Sequence, residues 1–186
     1  MEKLKKKYKI QLKRFAEQKE QIRRLWNIGE KTAMLLYFFA ITKRAKNILE
    51  IGTSNGYSTF WLSLAAEVTE SEIDTIEVDE SRYLLACENL KERKNVNIHF
   101  GLAEKIIPSL DKKFDLVFID AGKIDYINYI KLLLDKLENN ALIIADNVIS
   151  HRETVHEYLS FVRNSPDFFT FTLPVESGLE ISVYKK

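Results

Sequence analysis

Two short apolar runs end in residues that could share one reaction. Phe118-Ile-Asp-Ala-Gly-Lys123 carries Asp120 and Lys123, and Ala145-Asp-Asn147 carries Asp146 and Asn147. Asp120, Asp146 and Asn147 offer only oxygen donors, which suit Mg²⁺, Mn²⁺ or Ca²⁺ rather than zinc. A lysine beside such a cation is pushed toward its neutral form and can then take a proton. Asp and Asn also cap helices after strands, so a structural reading stands beside the metal one.

A second group could hold a ligand. Asn47-Ile-Leu-Glu-Ile-Gly-Thr-Ser-Asn-Gly-Tyr-Ser-Thr59 reads as a buried strand running into a glycine turn that opens a helix. Gly52 and Gly56 permit a tight turn and close backbone approach, and the helix start offers free N–H groups to an anion. A dinucleotide fingerprint would read G-x-G-x-x-G; here Thr53 and Ser54 replace its early glycine, which favours a carboxylate over a pyrophosphate. A tight turn without a ligand is the structural alternative. Glu77, closing Thr75-Ile-Glu-Val-Asp79, is placed to accept hydrogen bonds from both hydroxyls of a ribose, because ligands of open α/β sheets lie outside the carboxyl ends of the strands.

The elements that must position these residues follow from periodicity. Strands are predicted over 47–51, 73–78, 96–100, 114–119 and 141–145. Helices are predicted over 30–42, 57–67, 81–93, 126–137 and 153–163, with a short helical turn over 103–107. Apolar strands alternating with amphipathic helices indicate a parallel sheet covered on both faces. Phe168–Leu173 and Leu179–Tyr184, parted by a turn at Val175–Gly178, read as a closing hairpin. The expectation is an α/β, three-layer, doubly wound, mostly parallel seven-stranded sheet with an antiparallel C-terminal hairpin. No linker or repeat divides residues 1–186, so one domain is expected.

Residues 2–25 read as one amphipathic helix with Leu4, Tyr8, Leu12, Phe15 and Ile22 on its apolar stripe. Residues 1–32 hold eleven Lys/Arg against four Asp/Glu, a net of +7, and the remainder is −6. Such a basic segment either contacts nucleic acid or packs on the acidic body or a second subunit. Its stripe needs a surface, and the crevice or a partner in a homodimer is expected to supply it. A lone Cys87 excludes internal disulfides and cysteine-based zinc clusters. No apolar run reaches the roughly 20 residues of a membrane span and no signal-peptide pattern occurs, so no membrane association and a cytoplasmic location are expected.

Taken in order, these pieces resemble the metal-dependent O-methyltransferases related to catechol and caffeoyl-coenzyme A O-methyltransferases. The matching segments are Asn27-Ile-Gly-Glu30, Leu49-Glu-Ile-Gly-Thr-Ser-Asn-Gly-Tyr-Ser58, Ile76-Glu-Val-Asp79, Gly101-Leu-Ala-Glu104, Phe118-Ile-Asp-Ala-Gly-Lys123, Ala145-Asp-Asn147 and Gly178-Leu-Glu-Ile-Ser-Val-Tyr184. The resemblance implies a Rossmann-like class I methyltransferase fold and S-adenosylmethionine as cofactor. It implies that Glu50, Gly52 and Ser58 hold the methionine part, with Ile28 closing over it. Glu77 would bind the ribose, and Val78, Ala103 and Glu104 would line the adenine pocket. Asp120, which also touches the cofactor, would hold Mg²⁺ with Asp146 and Asn147, and Lys123 would be the general base.

The implied chemistry is an in-line displacement on a sulfonium, for which an acceptor hydroxyl must be aligned and deprotonated. The chain departs from the pattern at Gly122, which replaces an aromatic wall beside the lysine. Val148-Ile-Ser-His151 lacks the Trp and Gly common among relatives, and the late acidic residue has no counterpart. The expected acceptor is a small, phenolic hydroxyl compound. A hydroxylated tRNA base, with the basic helix on phosphates, is an alternative. A nucleotide-dependent dehydrogenase and a non-catalytic binding module are alternatives of other classes.

Overall fold

Strand patterns with apolar side chains on both faces can be buried only between two helical layers. The computed structural model describes residues 1–22 and 25–186, and this is where those strands lie. They are β1 (Asn47–Ile51), β2 (Glu72–Glu77), β3 (Val96–Phe100), β4 (Phe114–Ile119), β5 (Leu137–Ala145), β6 (Phe168–Leu173) and β7 (Leu179–Tyr184). Among the described residues they form one seven-stranded sheet in the order β3-β2-β1-β4-β5-β7-β6. β1 to β5 are mutually parallel, whereas β7 runs antiparallel to β5 and β6 antiparallel to β7.

One helical layer comprises α1 (Glu2–Lys7), α2 (Lys9–Gln21), α3 (Glu30–Lys43), α4 (Tyr57–Thr69) and α5 (Glu80–Leu90). Leu36, Ala40, Phe60, Trp61 and Leu90 pack there on Ile48, Leu116 and Ile144. The opposite layer is α6 (Ala103–Ser109), α7 (Tyr126–Leu133) and α8 (His156–Asn164). Ile107, Tyr126, Leu133 and Tyr158 pack there on Leu49, Val117 and Ile143. Crossovers from β1 go one way and from β4 the other, so the order reverses between these two strands. That reversal opens the crevice outside their carboxyl ends.

The N-terminal segment differs from the single helix expected over 2–25. The chain breaks at Tyr8 (φ −108°, ψ 26°), where the ring meets Phe60 edge-on, and α2 ends at Gln21; Arg23 and Arg24 lie outside the described residues. Phe15 is buried against Tyr57 and Phe60, and Gln18 exchanges hydrogen bonds with Asn89 and accepts one from the Asn55 amide at Oε1. Tyr8 and Phe15 of the apolar stripe thus meet the chain's own α4, Leu12 and Phe15 line a cavity together with Ile28, and Ile22 is exposed.

A second difference lies after α7. The expected helix to Leu137 stops at Leu133, and a 3₁₀ turn covers Leu134–Lys136. β5 starts at Leu137 rather than Ala141, pairing with Phe114 before a register shift. The polar Glu138-Asn-Asn140 stretch with Asn140 at φ 62° forms that irregularity, and polar residues there hide the strand from a hydrophobic pattern. α8 also starts three residues later than expected, at His156. No helix among the described residues is long and apolar enough to cross a membrane.

Candidate functional site

The crevice begins where β1 runs into Gly52, at φ +105°. The N–H groups of Gly52 and Thr53 both donate to the Ile76 carbonyl, at 3.0 and 3.1 Å. A Cβ on Gly52 would run into the backbone carbonyl of Asp120. Only glycine lets the turn after β1 lie against the chain leaving β4. Gly56, at φ +85°, then starts α4 with Leu90 packed where a side chain would project.

Glu50 points from β1 into this region and is fully buried. Its Oε2 accepts from the Thr75 hydroxyl at 2.6 Å and from the Thr59 hydroxyl, while Oε1 has no partner among the described residues. Burial pushes its carboxyl up to about 7, against the hydroxyl donors that stabilise the anion. A buried carboxylate with a free oxygen fits a cationic ligand group such as an ammonium. Ser58, in the first turn of α4, is buried nearby, and its hydroxyl favours the Glu50 anion.

Glu77 ends β2 and is almost wholly buried. Its Oε2 accepts from Ser54 N at 2.8 Å, which ties it to the glycine turn. Oε1 accepts from the N–H groups of Val78 (3.0 Å) and Asp79 (2.9 Å) and from Arg82 Nη2 (2.9 Å) and Nε (3.2 Å). Gly101 N donates to the Glu77 carbonyl at 2.9 Å, joining the end of β3 to the end of β2. Val78 is exposed there, and Ala103 (buried) and Glu104 (half-buried) form the first turn of α6. Ile28 is buried before α3 and lines, with Phe15, Tyr57 and Trp61, a cavity of about 290 Å³.

The oxygen-rich group assembles on neighbouring strands. Asp120 N donates to Ile51 O (2.9 Å) and Asp146 N to Ile119 O (3.0 Å), so both aspartates continue the ladder just past the ends of β4 and β5. Lys123 Nζ lies 2.7 Å from Asp120 Oδ1. Asp146 is buried, its Oδ1 has no partner among the described residues, and burial with the nearby Asp120 charge pushes its carboxyl up to about 7. Asn147 follows in the left-handed region at φ 65°. Among the described residues no three His, Cys, Asp or Glu side chains converge as a metal cluster. The set contains two carboxylates and an amide, and the unpartnered Asp146 oxygen fits a hard cation.

Four supporting residues escaped the sequence reading. Thr59 and Thr75 hydrogen-bond Glu50; a threonine inside a buried strand was the one available signal for Thr75. Tyr126, fully buried, donates to the carbonyls of Ile119 and Asp146, both at 3.2 Å, beneath the two aspartates. Glu176, in the turn between β6 and β7, accepts from the N–H groups of Lys31 (3.1 Å) and Thr32 (2.9 Å) and so caps α3.

This fold, with its glycine turn, buried acids at the ends of β1 and β2 and oxygen set at β4 and β5, is that of the class I methyltransferases. The family model described as O-methyltransferase matches residues 3–161, and the chain belongs to that family. A catechol O-methyltransferase of Niastella koreensis is 33% identical over 138 residues, 70% of this chain and 62% of the relative. The chain thus spans less than two thirds of that relative's length. The O-methyltransferase TomG of Streptomyces achromogenes, solved in complex with S-adenosylmethionine, superposes with a TM-score of 0.80 at 27% identity, covering 86% of this chain and 82% of its own. A Staphylococcus aureus structure provisionally described as a caffeoyl-CoA O-methyltransferase gives a TM-score of 0.82 at 26% identity, over 97% of this chain and 99% of that one.

Proposed function

We propose that the chain transfers the methyl group of S-adenosylmethionine to a hydroxyl of a small phenolic acceptor, with a divalent cation at Asp120, Asp146 and Asn147. The observation that carries this reading is the placement of Lys123, Asp120 and Asp146 at adjacent strand ends, with the Gly52 turn against the Asp120 backbone. Glu50, with its free buried oxygen, suits the cationic methionine end of the cofactor, and Glu77 Oε2 suits a ribose hydroxyl. A bound Mg²⁺ would lower the pKa of the acceptor hydroxyl and fix its position. Lys123 would take the hydroxyl proton at Nζ, and Tyr126 would keep the two aspartate-bearing strand ends in register. Alignment by the rigid strand ends could contribute several kcal/mol, given that well-oriented reactants save roughly 7–11 kcal/mol.

The test is methyl transfer by the purified chain from labelled S-adenosylmethionine to a panel of catechols, hydroxycinnamates and tRNA, with Mg²⁺ and with EDTA. Labelled catechol or hydroxycinnamate, formed only with the metal, is the expected result. Product on tRNA alone, or equal rates in EDTA, would overturn the acceptor or the metal part respectively.

A further inference from the structure

The Glu77 carboxylate is gripped from one side by Arg82, which with Trp26 lies outside the segments that carry the family resemblance. Arg82 places Nη2 and Nε on Glu77 Oε1, while its own backbone N–H is held 3.0 Å from Asp79 Oδ1 at the start of α5. The indole of Trp26 lies over the guanidinium, 5.9 Å from Cζ to the ring. Trp26 is 71% exposed, an unusual position for the largest apolar side chain, and it sits two residues before Ile28. Trp26, Arg82 and Glu77 therefore form a stack that runs from the segment preceding α3 down to the end of β2.

Two consequences follow from the donor count. Oε1 receives four donors and Oε2 one. Each oxygen of an ionised carboxylate offers about two acceptor positions, so Oε1 is already crowded and Oε2 is the oxygen with room for an incoming hydroxyl. The planar fork of arginine fixes the carboxylate in that orientation, as a lysine could not. The free face of the same guanidinium carries the indole by a cation–π contact.

We propose that Arg82 and Trp26 are cofactor-positioning residues: Arg82 directs Glu77 Oε2 at the ribose, and Trp26 clasps the Ile28 segment over the methionine part of the bound cofactor. The inference rests on the reading of Glu77 as the ribose carboxylate. Titration calorimetry with S-adenosylhomocysteine on the full chain tests it, with wild type, Arg82→Leu and Trp26→Ala. Arg82→Leu should bind about tenfold more weakly and Trp26→Ala at least threefold more weakly. Since Trp26 is exposed, its replacement leaves the core intact and decides the case should Arg82→Leu melt early. Acrylamide quenching supplies a readout that mere stability would not move: Trp61 is buried, so the quencher reports Trp26. The ligand should shield Trp26 in wild type and not in Arg82→Leu. A wild type that binds no S-adenosylhomocysteine refutes the cofactor reading itself. A wild type that binds, with Trp26→Ala equally tight or Trp26 equally quenched, overturns the clasp alone.

Discussion

Lys123 Nζ stands 2.7 Å from Asp120 Oδ1, the two residues sharing the bend that leads from β4 into a 3₁₀ turn. Proposed base and proposed metal ligand are thus held in one geometry by each other. Lys123→Met should lower kcat by roughly 10²–10⁴, the usual worth of a general base, and change S-adenosylmethionine affinity less than twofold. Steady-state kinetics beside calorimetry checks this. A rate within twofold of wild type would remove Lys123 from the chemistry.

Asp146 should dominate cation binding, because its buried Oδ1 has no other partner among the described residues. Asp146→Asn keeps the shape and removes the charge. Mn²⁺ binding followed by paramagnetic relaxation should fall at least tenfold, with the melting temperature in EDTA unchanged or raised. Undiminished Mn²⁺ binding would place the cation elsewhere.

Glu50 sets a pH signature. Its folded carboxyl titrates at about 7, above the ordinary 4.5. The folded state therefore holds this proton more tightly than the unfolded chain. Stability from this group is complete below about pH 4.5 and declines as pH rises toward 7. The loss is at most roughly 3 kcal/mol at 1.36 kcal/mol per pKa unit. Glu50→Gln should be more stable than wild type at pH 8 and lose that advantage near pH 4.5, in denaturant titrations at both values. The same replacement should weaken S-adenosylmethionine binding. In wild type, binding at pH 6.5 should release a proton, read from calorimetric enthalpies in buffers of different ionisation heat. Binding without proton release would show that Glu50 does not meet the cofactor's positive charge.

Tyr126→Phe should destabilise the chain by roughly 1–2 kcal/mol, since two buried carbonyls lose their shared donor. Turnover should drop more than stability does, because both carbonyls belong to the backbone that carries the aspartates. Denaturation midpoints and kcat measured on one preparation separate the two effects. An unchanged kcat would confine Tyr126 to the core.

The strands and hairpin were legible where apolar residues recur along short runs bounded by polar or turn residues; β6 and β7 fall on the residues expected. The polar start of β5 was not, since Glu138-Asn-Asn140 carries no apolar period. Glu50, inside β1, was reached only through the family resemblance, whereas Gly52, Glu77, Asp120, Lys123 and Asp146 stood out as polar or glycine residues at the ends of apolar runs. Thr59, Arg82, Tyr126 and Glu176 did not, for a physical reason. Their partners are fixed by how strands and helices come to neighbour one another, and local spacing is silent about that. The break at Tyr8 is of the same kind: nothing in Lys7-Tyr8-Lys9 opposes a helix, and the position of Phe60 belongs to the tertiary fold.

The cap on α3 has a consequence for synthesis. Glu176 binds the N–H groups of Lys31 and Thr32, so the start of a helix made early depends on a carboxylate made some 144 residues later. While the chain is still emerging from the ribosome, the segment bearing Trp26 and Ile28 has the Lys5–Glu30 ion pair and the Lys19–Asn27 contact beside it but lacks the carboxylate that caps α3. The closing hairpin thus completes the first part of the crevice to be translated, and a chain halted before residue 176 would leave the N–H groups of Lys31 and Thr32 without that partner.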